Sequence, residues 1–148
     1  MRSMLACLAF VSMLAVAPLS TRTAAAAEPL ASQETNTDGI MAEVTECRRK
    51  EGVLNIRVRF KNTGDEDKQV YVDGSGYDNT YLTAEKKKYL VLKDSQNKPL
   101  ASPTYNIGVK KGGSYVWWAK YPAPPDAVKK VTFYSQAAPP IGDIPIQD

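Results

Sequence analysis

The chain has 148 residues, which is enough for one domain and not two. Hydrophobic residues make up 43% of the sequence and charged residues 24%, a mixture typical of globular proteins and not of disordered chains. Histidine is absent, which excludes Ser-His-Asp and Cys-His catalytic pairs and histidine-ligated metal sites, and two cysteines are too few for a Cys-rich zinc site.

The first 27 residues have the three parts of a secretory signal peptide. Arg2 gives a basic start, residues 4–17 form an apolar run, and four alanines at 24–27 provide a cleavage site. The apolar run is shorter than the roughly 20 residues of a membrane-spanning helix, so an uncleaved anchor is the less favoured alternative. We predict cleavage after Ala27 and a mature chain that is exported, periplasmic or secreted, without a transmembrane segment.

Removal of this segment changes the charge and the cysteine content. It removes Arg2 and Arg22 from the 19 basic residues and none of the 16 acidic ones, so the mature chain is nearly neutral. Nucleic acid is therefore not an expected partner, because its binding needs clustered positive charge. Cys47 remains as the only cysteine, and its alternating apolar setting favours a buried, inert thiol over a reactive or intermolecular one.

Residues 28–39 are polar and aperiodic, which predicts a flexible leader before a domain at 40–148. The clearest strand is 53–62, where Leu54, Ile56 and Val58 alternate with polar residues, so that one face of the strand is apolar. An apolar face of this size must be covered by a second layer of the protein, which indicates a sandwich of two sheets. Further strands are predicted at 41–48, 69–72, 81–85, 88–93, 100–102, 114–120 and 128–135.

The prolines and the strand spacing set the architecture. The segment 121–125 contains three prolines and cannot join a central ladder, and the proline-containing tail is expected to lie along an edge. Strands recur about every ten residues with turns between them and no convincing helix. The fold class predicted is all-β, an antiparallel sandwich of about seven strands, with a closed barrel as the alternative.

Several segments also resemble a known family. They are YLVLKDSQNKPL at 89–100, WWAKYPAPP at 117–125, VKKVT at 128–132, GDIPI at 142–146 and NTG at 62–64. Over residues 40–146 the chain resembles exported bacterial immunoglobulin-like domains of the telokin-like type, which occur alone or beside OmpA-like peptidoglycan-binding domains. The resemblance implies an immunoglobulin-like sandwich and leaves function open, because such domains serve many roles. The chain departs from the pattern at Gln96-Asn97-Lys98, where a glycine turn is commoner.

Adjacent Trp117 and Trp118 must point to opposite faces of their strand. Tyr115 shares a face with Trp117, and Val116 shares one with Trp118. We predict that Trp118 lies in the core and that Trp117 and Tyr115 face outward, where a partner-binding surface forms. Its candidate residues are Tyr115, Trp117, Tyr121, Tyr77 and Tyr81. The alternative is that a tail strand or loop covers these side chains.

Charged clusters give weaker signals. The loop 73–79 resembles a calcium loop, but Asp78 stands at the sixth position and Ala84 at the twelfth, so a hairpin loop is favoured. The acids at 65–67 are expected to be solvated. The lysine runs at 86–88 and 110–111 are expected to be solvated turns, with contact to anionic lipid or polysaccharide as the alternative.

The function predicted from these features is binding without catalysis. An exported module would recognise a cell-envelope protein through its strand edges and the face of Tyr115 and Trp117. A carbohydrate-binding module that uses the same aromatics is the alternative, and a small carboxylate-based hydrolase is less favoured. No cofactor or metal is predicted, and the oligomeric state stays open.

Overall fold

Ten strands and no helix make up the part of the chain that the computed structural model describes, residues 27–148. The predicted signal peptide lies outside these residues apart from Ala27. The strands are β1 (Ala31–Glu34), β2 (Ile40–Lys50), β3 (Val53–Asn62), β4 (Lys68–Val70), β5 (Tyr81–Ala84), β6 (Lys87–Leu90), β7 (Ile107–Val109), β8 (Ser114–Pro122), β9 (Lys130–Tyr134) and β10 (Ile141–Pro145). The predicted all-β class is confirmed, with ten strands instead of about seven.

The strands form three antiparallel sheets. The first sheet has the order β1-β2-β3-β8, the second has the order β10-β9-β5-β6, and β4 pairs with β7 in a small third sheet. β2 and β3 are joined by a tight turn in which Glu51 and Gly52 have φ values of 51° and 77°. Positive φ at both central residues matches the twist of a two-residue hairpin turn.

The two larger sheets pack against each other in a sandwich-like arrangement. The alternating residues Leu54, Ile56 and Val58 of β3 are fully buried, as the pattern predicts. From the facing sheet, the ring of Phe133 lies 5.8 Å from the ring of Trp117 on β8. Each such apolar side chain contributes about 1.5–3 kcal/mol when it leaves water.

The polar segment predicted to be a flexible leader contains a strand instead. β1 pairs with β2 from Ala31, opposite Val44, to Glu34, opposite Met41. Beyond β1, the backbone N–H of Asn36 donates to the Ala137 carbonyl at 2.8 Å, and this bond connects the segment to the C-terminal part of the chain. An edge strand can be polar because one side remains in water, so composition gave no strand signal here.

The C-terminal tail joins the two layers. β10 is an edge strand of the second sheet, in agreement with the predicted position of the tail. Beyond it, the Gln147 N–H donates to the Cys47 carbonyl at 2.7 Å, and the Arg49 N–H donates to the Gln147 carbonyl at 2.8 Å. The tail therefore extends the first sheet beside β2, next to the stretch that β1 covers.

Candidate binding surface

The structure reverses the predicted faces of the two tryptophans. Trp117 is fully buried and its indole N–H donates to the Pro103 carbonyl at 3.1 Å, whereas Trp118 is 40% exposed and Val116 is 46% exposed. Strand alternation places the two indoles on opposite faces but does not say which face is inside. Lys120 shares the face of Trp118, and this charged neighbour was the sequence signal for the outward side.

Tyr121 is also in the core and not on a binding surface. It lies on the same inward face of β8 as Trp117 and is fully buried. Its hydroxyl donates to the Thr80 carbonyl at 3.4 Å, and burial raises its pKa above the ordinary tyrosine value. The prediction that Trp117 and Tyr121 face a partner is therefore wrong.

The other predicted tyrosines separate into two places. Tyr77 and Tyr115 are both half-buried and pack against the core, so Tyr115 points inward with Trp117 and not outward as predicted. Burial first and then the charge of Tyr115 raise the pKa of Tyr77. The Tyr77 hydroxyl donates to the Ser102 carbonyl at 3.0 Å. Tyr81 lies elsewhere, on the second sheet, where its ring stacks on that of Tyr134 at 4.8 Å.

Residues 100–105, named here the strap, run along the outer edge of β8. The Ser102 N–H donates to the Trp118 carbonyl at 2.8 Å, and the Trp118 N–H donates to the Ser102 hydroxyl at 3.1 Å. The strap then leaves β8, and its Thr104 carbonyl accepts the Val72 N–H at 2.8 Å. It therefore links the edge of the first sheet to the segment that follows β4.

Exposed apolar side chains lie on the strap and on the segments bonded to it. Tyr105 is 63% exposed and its ring meets that of Tyr71, which is 41% exposed, edge-on at 5.1 Å. Trp118 and Val116 lie on β8, where Trp118 is bonded to Ser102 in the middle of the strap. We name Tyr71, Tyr105, Val116 and Trp118 the aromatic edge. They are four of the five large hydrophobic side chains exposed in residues 27–148, and all four lie on the strap or on segments that hydrogen-bond to it.

Charged pairs lie beside Trp118 on the outer face of the first sheet. Arg57 is opposite Trp118 in the ladder and pairs with Glu46 at 3.1 Å. Arg59 is opposite Val116 and pairs with Glu43 at 2.7 Å. A shallow depression of about 420 Å³ is bordered by Trp118 and by side chains of both signs. Tryptophan together with arginine is the composition enriched at protein-binding hot spots.

The loop predicted to be a hairpin rather than a calcium site is organised by a buried carboxylate. Asp73 accepts hydrogen bonds from the N–H and hydroxyl of Ser75 and from the N–H and side-chain amide of Asn79, at 2.8–3.3 Å. Burial alone would raise the pKa of Asp73, but these bonds outweigh it and hold the pKa below the ordinary value. Within residues 27–148 there is no group of three or more acids, cysteines or histidines placed to hold a metal.

Cys47 is buried in the first sheet, as the sequence predicts, and forms no disulfide in the described structure. Burial raises the pKa of its thiol to about 12. The reactive species of cysteine is the thiolate, so the Cys47 thiol is expected to be unreactive toward thiol reagents. In the same part of the chain, no helix has the length and apolarity that crossing a membrane requires.

Comparison of the chain with family models, with curated proteins and with solved structures gave no match.

Proposed function

We propose that the protein is an exported, non-catalytic module with an immunoglobulin-like sandwich, and that it recognises another protein of the cell envelope through the aromatic edge. The observation that carries this proposal is that four of the five exposed large hydrophobic side chains lie on the strap or on segments that hydrogen-bond to it: Trp118, Val116, Tyr105 and Tyr71. The signal-peptide pattern of the first 27 residues supports export. Two packed antiparallel sheets support the sandwich.

A protein partner suits the chemistry of this surface. Tryptophan and tyrosine offer large rigid contact areas with a polar tip, so they lose little conformational entropy when bound. Arg57 and Arg59 are already paired with Glu46 and Glu43, which fixes their positions before a partner arrives. Such preorganisation lowers the entropic cost of association.

Binding rather than catalysis is favoured by the environment of the carboxylates. A general acid at neutral pH needs a site that is withdrawn from water, which raises its pKa. Asp143 borders a groove on the second sheet, but its side chain is 89% exposed and lies 3.6 Å from Lys130. Asp73 is buried, but its hydrogen bonds lower its pKa.

The test compares crosslinked capture from native envelopes by the wild-type protein, by Trp118→Ala and by Leu90→Ala. Leu90 is the matched control because it is 49% exposed and lies on the other sheet. We expect the wild-type protein and Leu90→Ala to retain one protein in near-equal molar amount, and Trp118→Ala to lose it. Equal capture by all three proteins would place the contact away from the aromatic edge.

Carbohydrate binding is the second candidate function. The observation that favours it is the depression beside Trp118, where Asn55, Arg57 and Lys120 offer hydrogen bonds next to an exposed indole. Because Trp117 is buried, only Trp118 would report an added sugar. Titration with purified envelope polysaccharide should then change tryptophan fluorescence in the wild-type protein and leave Trp118→Phe unchanged. No change in either protein would remove this candidate.

A further inference from the structure

The outer face of the second sheet carries a groove that the proposed function does not use. It has a volume of about 500 Å³ and is bordered by the hairpin between β5 and β6 and by β9 and β10. Lys86, Lys87, Lys88 and Lys130 line it, with Thr83 and Thr132 among its other residues. We name this surface the basic face.

One lysine of the basic face is held in place by aromatic rings. The ammonium of Lys88 lies 3.8 Å above the ring centre of Tyr81. The ring of Tyr81 stacks on that of Tyr134 at 4.8 Å, with an angle of 12° between the two planes. This stack positions a positive charge through cation–π attraction, which leaves its N–H donors available to an anion.

No carboxylate neutralises the lysine run at close range. Lys68, Lys110 and Lys129 each lie within 4 Å of a carboxylate oxygen, whereas most lysines of the described residues have no such ion pair. Among residues 27–148, none of the three lysines at 86–88 forms such a pair, and Lys130 has only a 3.6 Å contact with the exposed Asp143. The groove therefore presents more positive than negative charge to solvent.

Hydroxyl groups lie between the lysines. Thr83 of β5 is opposite Lys88 of β6 in one ladder and opposite Thr132 of β9 in the other, so the two threonines lie side by side on neighbouring strands. Both are half-buried, and neither hydroxyl has a hydrogen-bond partner in the described structure. A ligand that carries both hydroxyl and anionic groups would complement this arrangement of lysine and threonine side chains.

We propose that the basic face binds an acidic polysaccharide, a sugar chain that carries carboxylates such as those of uronic acids. The carboxylates would meet Lys88 and Lys130, and the sugar hydroxyls would meet Thr83 and Thr132. The site is independent of the aromatic edge, because it lies on the other sheet. It gives a specific role to the lysine run at 86–88.

Other polyanions fit the surface less well. A nucleic acid carries densely spaced phosphates and is usually met by clustered arginine and lysine, whereas Glu85 and Asp143 border this groove. A membrane surface would also favour apolar side chains that enter the lipid, and only Leu90 is a large exposed hydrophobic on this sheet. The charges of an acidic sugar chain are spaced more widely than the phosphates of a nucleic acid, and the chain also carries hydroxyl groups.

The test measures binding of the purified protein to polygalacturonate by calorimetry. The probes for comparison are neutral dextran, double-stranded DNA and vesicles that contain anionic phospholipid. We expect polygalacturonate to bind in a salt-dependent manner and dextran not to bind. The double variant Lys88→Gln/Lys130→Gln should weaken binding by roughly thirtyfold, since each lysine near an anionic surface contributes a factor of about five. Lys88→Arg should retain binding.

The matched control is Lys110→Gln/Lys111→Gln, which removes the same charge at a distant turn and should bind polygalacturonate normally. Circular dichroism of each variant confirms that it is folded. Equal loss in both double variants, or binding of DNA or vesicles as tight as that of polygalacturonate, would overturn the proposal, and so would no binding by the wild-type protein. Trp118→Ala should keep polygalacturonate binding, so this proposal and the proposed function can fail separately.

Discussion

Trp117 and Trp118 are adjacent residues with different surroundings. Trp117 is fully buried against Phe133, whereas Trp118 is 40% exposed. We expect Trp117→Ala to lower the free energy of unfolding by about 3–5 kcal/mol, because it opens a large cavity. Trp118→Ala should lower it by less than about 1 kcal/mol. Urea unfolding followed by circular dichroism measures both, and similar losses would contradict the assignment of faces.

Asp73 makes stability depend on acid pH. Its folded pKa is lowered from the ordinary value of 3.8, so its contribution is present above that pH and is lost as the pH falls through the folded pKa. We expect Asp73→Asn to lower the free energy of unfolding at pH 7 by about 1.5–3 kcal/mol and to flatten its decrease below pH 4. The exposed Asp78→Asn is the control, and urea unfolding at several pH values is the measurement. A wild-type pH profile in Asp73→Asn would contradict this role.

Cys47 should resist thiol reagents in the folded protein. With a pKa of about 12, its thiolate fraction at pH 8 is roughly one in ten thousand, and the sulfur is buried. In the variant Cys7→Ser, where Cys47 is the only thiol, we expect reaction with an aromatic disulfide reagent only after urea is added. Fast reaction without urea would show that the sheet opens around Cys47.

At the scale of elements, one arginine side chain, Arg49, holds the C-terminal tail in place. The Arg49 side chain is 9% exposed, and it donates to the Val128 carbonyl at 2.7 Å and to the Asp148 carboxylate at 3.1 Å. We expect Arg49→Met to lower the free energy of unfolding by about 1–3 kcal/mol, because the part-buried Val128 carbonyl loses its donor. The neighbouring exposed Arg48→Met should change it by less than about 0.5 kcal/mol. Equal effects in thermal or urea unfolding would contradict the role of Arg49.

The elements that could be predicted from the sequence are those whose pattern is local. β3 was predicted with its observed bounds because its apolar and polar residues alternate along the whole strand. β1, β7 and β10 were not predicted as strands, because a polar edge strand, a three-residue strand and a strand ending at a proline have no such pattern, and the strand predicted at 100–102 makes only an isolated bridge. Which face of β8 lies inside depends on its packing against the second sheet, and local sequence carries that information only indirectly, through Lys120.

The candidate site could be predicted less well than the fold. The sequence directed attention to β8, but Tyr71 was predicted only as part of a strand at 69–72 and Tyr105 in no element, and a long-range contact brings the two rings together. Tyr77 and Tyr115 both pack against the core instead of facing outward, and Tyr81 lies on the other sheet. The residue types indicated that aromatic side chains could form a binding surface, but which of these side chains lie together could be learned only from the topology.

For the molecule as a whole, the two proposed surfaces lie on different sheets of one sandwich. The aromatic edge borders the first sheet, and the basic face covers the outer side of the second. The core between them is closed by the tail at one edge and by the strap at another. A partner on one surface would leave the other open, so the two proposals are compatible with each other.

The measurement that tests the recognition of a partner most directly is site-specific photocrosslinking in the native envelope. A photoreactive phenylalanine analogue replaces Trp118 in one variant and Leu90 in another, since both positions are exposed and lie on different sheets. The account predicts one adduct of defined mass from position 118 and none of that mass from position 90. The same adduct from both positions, or no protein adduct from position 118, would contradict recognition through the aromatic edge.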